Sequence, residues 1–176
     1  MKRILSLLLA LVLLLSLAGC GAAKSSEPKS REELEFRTKL TNFNASANRN
    51  LNDLYFICST MQKYLAENDL SAGGRFDELA AYVKTVEPSV DFDAIADRFG
   101  ILTEYYKTLA ADEWGKENAE KILKQAEDAV TAIYGLGMCV GEPSGTAANF
   151  KKTYNGYEDD AYKALDKISD YLGEGD

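Results

Sequence analysis

The chain has 176 residues, 20 basic against 28 acidic side chains, no histidine and a net charge of −8. The acidic balance argues against nucleic acid, whose affinity rests on Lys and Arg neutralising phosphates, and against close apposition to anionic lipid headgroups or wall polymers. Without histidine the chain lacks the commonest general base at neutral pH, the Ser-His and Cys-His nucleophile pairs, the Glu-x-x-His ligands of di-metal bundles and the His-containing zinc sites.

Met1-Lys2-Arg3 is a short basic segment, and Ile4 to Leu17 is an apolar run interrupted only by Ser6 and Ser16. The run is shorter than the roughly 20 apolar residues of a transmembrane helix and has the layout of a secretory signal. Its ending, Leu17-Ala18-Gly19-Cys20, resembles the lipobox of bacterial lipoproteins at all four positions. The resemblance implies that signal peptidase II cuts between Gly19 and Cys20. It also implies that Cys20 carries a diacylglycerol and that the protein is anchored outside the cytoplasm through that lipid. Two acyl chains make such an anchor stable where one is marginal. On this reading 1–19 is the signal peptide, 20–30 the lipidated cysteine with a flexible linker, and 31–176 the body. Without its first 19 residues the chain keeps 157, with 18 basic and 28 acidic residues, the size of one domain. Gly21 to Ser30 has almost no bulky apolar residue and predicts a coil tether of about 15–20 Å.

The body is patterned as helix almost throughout. Ser30 and Glu33 have capping-box spacing. Phe36, Leu40, Phe43, Ala47, Leu51, Leu54, Cys58, Met61 and Leu65 then follow at steps of three and four, which predicts one helix over 31–67. Tyr55, Phe56 and Ile57 widen the stripe and predict burial on more than one side. After Gly73-Gly74, a short helix carries Phe76, Leu79, Val83 and Val86 and stops before Pro88. Asp91 is placed to cap a third helix with a seam of Phe92, Ile95, Phe99, Leu102, Tyr106 and Leu109.

Phase decides whether helix 3 continues. Its seam, extended, would bury Glu113, Lys116 and Glu120, whereas the apolar residues that follow (Ala119, Ile122, Ala126, Ala129, Ile133, Leu136) are one position out of step. Burying three charges costs far more than a turn, so a bend is expected between Ala111 and Gly115, with Asp112 as cap. Gly135 and Gly137 are expected to end helix 4. Ser144 or Thr146 would cap a last helix bearing Ala147, Phe150, Tyr154, Tyr157, Ala161, Leu165, Ile168 and Leu172, ending at Gly173. No period-2 run rich in Val, Ile and Thr calls for a sheet. The expected fold is all-α: an antiparallel helical bundle of four long helices plus one short helix.

Chemistry is sparse. Cys58 and Cys139 form either a disulfide, as export would favour, or two buried free thiols. If helix 2 descends about 20 Å, helix 3 rises about 30 Å and helix 4 falls about 33 Å, the two cysteines reach similar heights. Asp91, Asp93 and Asp97, and Glu158, Asp159, Asp160, Asp166 and Asp170, are carboxylate clusters. No segment has calcium-loop spacing, and solvated helix faces account for them, Asp91 favouring a helix N-terminus. Gly135 to Gly141 superficially resembles a dinucleotide turn, but a helix rather than a strand precedes it. No cofactor or metal is expected. Of the ten tyrosines, Tyr106, Tyr154 and Tyr157 fall on seams, while Tyr105 and Tyr162 lie off the stripe and are the candidate binding face.

The function these features favour is a membrane-anchored, extracytoplasmic lipoprotein. Its acidic bundle would act as a non-catalytic module binding an envelope protein or a small ligand. The alternative is a carboxylate-dependent enzyme acting on wall glycan or peptide, which requires two carboxylates converging in a cleft. An importer's solute-binding protein usually has two α/β lobes and needs a longer chain.

Overall fold

Ser30 accepts a hydrogen bond from the Glu33 N–H and starts a helix of 37 residues, α1 (Arg31–Glu67), about 55 Å long. This is the first element of a computed structural model that describes residues 30–173; the signal, Cys20 and most of the tether fall outside the described residues. Every position of the expected α1 stripe is buried; of the three residues expected to widen it, Ile57 is buried, Tyr55 half-buried and Phe56 exposed, so the widening is narrower than the apolar run suggests. Five further helices follow: α2 (Phe76–Val86), α3 (Phe92–Ala110), α4 (Glu113–Asn118), α5 (Glu120–Gly141) and α6 (Ala147–Leu172). Among the described residues β structure is confined to one antiparallel bridge, Ser71 to Thr146. It ties the loop after α1 to the loop before α6, with the Ala72 N–H donating to the Gly145 carbonyl at 2.8 Å.

The expected caps are made. Asp91 accepts from the Asp93 and Ala94 N–H groups, Asp112 from Gly115 and Thr146 from Asn149. Gly173 ends α6 at φ 77°, a conformation that favours glycine. The bend forced by the phase slip contains a short helix, α4, that the sequence pattern did not announce. Asp112 caps it, and Lys39 Nζ lies 2.6 Å from Asp112 Oδ2. A Cβ on Gly115 would lie 2.5 Å from the Phe36 ring, so only glycine lets the bend close on α1. The Trp114 ring meets Phe36 from the other side at 5.3 Å between centroids.

Ion pairs and ring contacts give the helix directions. Arg98 Nη2 meets Asp53 at 2.8 Å and Asp112 meets Lys39, so α3 runs antiparallel to α1. Phe99 packs on Tyr134 and Tyr106 lies near Glu127, so α5 runs antiparallel to α3 and therefore parallel to α1. Tyr162 meets Asn52 and Ser169 meets Asn44, which makes α6 antiparallel to α1. The expected descent of helix 2, rise of helix 3 and fall of helix 4 are thereby corrected, since α5, parallel to α1, rises. The Phe76 and Phe92 rings pack edge to face at 6.0 Å, so the chain returns to the start of α2 before α3 begins. Helix α2 contributes no net travel along the bundle, and α3 is the element that descends.

The end of helix 4 is also corrected. Gly135 and Gly137 do not stop α5, which continues to Gly141. Gly135 is buried, and a Cβ there would lie 2.4 Å from the Tyr157 ring; the glycine serves a close helix approach rather than a terminus. Tyr157 itself, expected in the core, is 38% exposed, because its ring leans across Gly135 instead of pointing inward. Tyr154 is buried as expected, Tyr106 and Ile122 half-buried against the core.

Candidate functional site

The first turns of α3 lie between two clefts, one facing α5 and the other facing α1. The α5 side is an apolar groove of about 360 Å³. Phe92, Ala96 and Phe99 line it from α3, Tyr134, Gly137, Met138 and Gly141 from α5, and Leu54 of α1 forms its floor. Local sequence explains the shape. Phe92 and Phe99, seven residues apart, share a face of α3, and Gly137 and Gly141, four apart, share a face of α5. A Cβ on either glycine would meet nothing within 4 Å, so these two glycines pack against no neighbour and leave the groove open. Phe99 and Tyr134 meet across it at 5.9 Å, and Phe76 on Phe92 closes one end. Tyr134 and Met138, 55% and 41% exposed, stand at the rim.

The α1 side is a polar cleft of about 490 Å³ walled by α1, the 87–91 loop and α3. Asp53 is paired with Arg98, and Asp91 is held by the N–H groups that it caps. The Ser89 hydroxyl and N–H donate to Glu87 and hold its carboxyl below the usual range. A general acid needs a carboxyl shifted upward, and Glu87 is shifted the other way. Glu158 is the carboxyl pushed up, by burial and then by the Asp159 charge; it lines neither cleft. The expected carboxylate clusters are not drawn together. Asp91 and Asp93 stand at the start of α3 and Asp159, Asp160, Asp166 and Asp170 on the exposed face of α6.

Tyr105 and Tyr162 are exposed, at 39% and 38%, but they do not form one face. Tyr105 is on α3, seven residues from Arg98 and so on the flank facing α1. Tyr162 is on α6, where its hydroxyl donates to Asn52 Oδ1 at 3.2 Å. Cys58 and Cys139 are both free and buried. The Cys58 thiol lies 3.9 Å from the Leu136 carbonyl, a separation within the range for a weak S–H donor. Burial, with a smaller contribution from Cys139, pushes the Cys58 thiol far up, and burial raises Cys139 as well. Thiolate is the reactive form, so burial disfavours nucleophilic chemistry at both residues. The Gly135 to Gly141 segment is helix, not a phosphate-binding turn.

Two features escaped the sequence reading. Phe76, Phe92 and Phe99 have the spacing of core seams, yet they line an open groove; the signal available is the i, i+4 glycine pair inside a helical pattern. The pairing of Arg98 with Asp53 spans 45 residues and has no local signature. Among the described residues no group of three or more Cys, Asp or Glu is arranged to hold a metal ion, and no helix is long and apolar enough to cross a membrane. No protein family matches the chain, and comparison with curated proteins and with solved structures finds no match.

Proposed function

We propose that this protein is a lipid-anchored, extracytoplasmic binding module of a bacterial envelope, attached through Cys20, and that it takes a small apolar ligand in the groove between α3 and α5. The observation that carries the binding role is the groove itself: carbon-lined, within the 300–1,000 Å³ range of small-molecule sites, and bordered on the α5 side by two glycines with open space over them. Leu54 lies 24 residues along α1 from Ser30, about 36 Å of helix. The groove is thus at the end of the bundle away from the tether, where a ligand arriving from outside meets it first. The anchor rests on the lipobox-like residues Leu17, Ala18, Gly19 and Cys20.

Each half has its own test. For the anchor, mass spectrometry of the protein purified from cells should find Cys20 as an acylated N-terminus; an unmodified N-terminus at any other residue ends that half. For the groove, titration with the neutral dye N-phenylnaphthylamine should give saturable fluorescence enhancement. Gly137→Leu fills the groove with a side chain and should weaken dye binding at least tenfold with the fold intact. Equal binding by the two proteins would reject the groove.

A further inference from the structure

The polar cleft on the other flank of α3 carries charges of both signs on opposite walls, and its open hydrogen-bonding positions can be counted. Of the five arginines among the described residues, Arg31, Arg37, Arg75 and Arg98 each meet a carboxylate within 4.0 Å, and Arg49 does not. Arg49 stands one helical turn before Asp53, the spacing at which the two would pair. Asp53 Oδ2 is instead held by Arg98 from α3 at 2.8 Å. The guanidinium of Arg49 is left lining the cleft with its donors uncommitted. On the opposite wall, Glu87 accepts through Oε1 from Ser89, and Asp91 through Oδ1 from the α3 N–H groups. The second oxygen of each carboxylate has no protein partner. Phe56 and Ile57 on the α1 wall and Val90 on the loop wall add apolar lining.

We infer that this cleft binds a zwitterion with an apolar side chain, a free amino acid or a short peptide, its carboxylate on Arg49 and its ammonium on Glu87 and Asp91. A planar guanidinium recognises a carboxylate through two parallel hydrogen bonds, and an ammonium has three donors for the open oxygens. A simple anion would be repelled by the 87–91 wall and a simple cation by Arg49, so the pattern selects a ligand bearing both charges. The apolar lining of the walls selects the side chain. This inference does not rest on the α3–α5 groove, which lies on the other flank of the same helix.

Calorimetric titration of the full chain with L-leucine, the dipeptide Leu-Leu, N-acetyl-leucine and leucinamide tests it. Leucine or Leu-Leu should bind saturably, the tighter of the two identifying the ligand as amino acid or peptide. Each blocked analogue, having lost one charge, should bind at least tenfold more weakly. Arg49→Gln should weaken the zwitterion about tenfold while leucinamide, freed of a like charge, binds no more weakly than before; Glu87→Gln should weaken the zwitterion while N-acetyl-leucine binds no more weakly than before. Gly137→Leu, which fills the apolar groove, should leave all four titrations unaltered. Blocked analogues binding as tightly as leucine, or no saturable binding of leucine and Leu-Leu up to their solubility limits, would overturn the assignment.

Discussion

Helix α5 packs against three long helices, α1, α3 and α6, and treats the last two differently. Against α6 it presents the buried Ala132 and Gly135, which α6 meets with Ala164 and Tyr157; among the described residues this is the most extensive helix–helix contact. Against α3 it presents Tyr134, Gly137, Met138 and Gly141 across an open groove. Small residues let the helices approach closely at one interface, where the clefts that remain are lined largely by polar side chains, and border an apolar groove at the other. The difference lies in what faces them. The Tyr157 ring occupies the space over Gly135, and nothing occupies the space over Gly137. One heptad of α5 therefore holds a glycine that makes the bundle and a glycine that makes the cavity.

The largest expected effect separates the two sides of that heptad. Leu136 is fully buried and Met138, two residues on, is at the groove rim. Leu136→Ala should cost about 2–5 kcal/mol as a core truncation. Met138→Ala should cost under about 1 kcal/mol, since a rim side chain gives up little burial. Chemical denaturation of both variants measures the contrast; similar losses would mean the groove is part of a closed core.

A sharper comparison uses the glycines. Gly135→Ala puts a methyl group inside the Tyr157 ring and should destabilise by about 1–3 kcal/mol as an overpacking change, net of its helix-propensity gain. Gly137→Ala meets nothing and should stabilise the protein by up to about 1 kcal/mol, because alanine is the better helix former. Melting temperatures should move in opposite directions. If both rise, Tyr157 swings away without cost and the α5–α6 interface is less tightly fitted than its geometry implies.

Much of the fold was legible because local chemistry and long-range packing agreed. Ser30, Asp91, Asp112 and Thr146 mark helix starts with side chains that bond their own backbone, and the phase slip after Leu109 reports a bend through the cost of burying Glu113, Lys116 and Glu120. Legibility failed where a residue's meaning depends on a distant partner. Gly135 has the composition of a helix terminus and the role of a packing notch, and only Tyr157, 22 residues away, distinguishes them. The direction of α3 depends on Phe76 meeting Phe92, which no periodicity encodes. The candidate site fared worst for the same reason: its groove residues are spaced like core residues, and what differs is the empty space over Gly137 and Gly141.

The bend at Asp112 lies at the other end of α3 and tests how firmly that end is held. Burial opposes ionisation of Asp112, but the Lys39 ammonium and the Gly115 N–H more than offset it, and its carboxyl is held below the ordinary value of 3.8. A depressed carboxyl contributes stability that is complete above its unfolded value and is lost as pH falls through the folded one. The wild type should therefore lose part of its stability on acidification below about pH 4. Asp112→Ala should cost about 1–2 kcal/mol near neutrality, chiefly through the lost cap, and should flatten that acid limb. An unchanged acid limb would show that the Lys39 pair contributes nothing.

The smallest expected effect concerns the α3 wall itself. Residues 92–99 have a cleft on each flank, and Ile95 alone among them is buried. Sparse packing lowers the free energy of local opening. Gly100 lies just beyond, in mid-helix, exposed and with room for a Cβ, where it costs the helix up to about 1 kcal/mol relative to alanine. Amide hydrogen exchange should show 92–99 less protected than the buried turns of α5 and α6, and Gly100→Ala should slow that exchange without altering α6. Saturation of either cleft should do the same, since a ligand supplies the neighbours that α3 lacks. Were 92–99 as well protected as α6 in the ligand-free protein, α3 would be a fixed wall, and the contrast between the two faces of α5 would be one of shape alone.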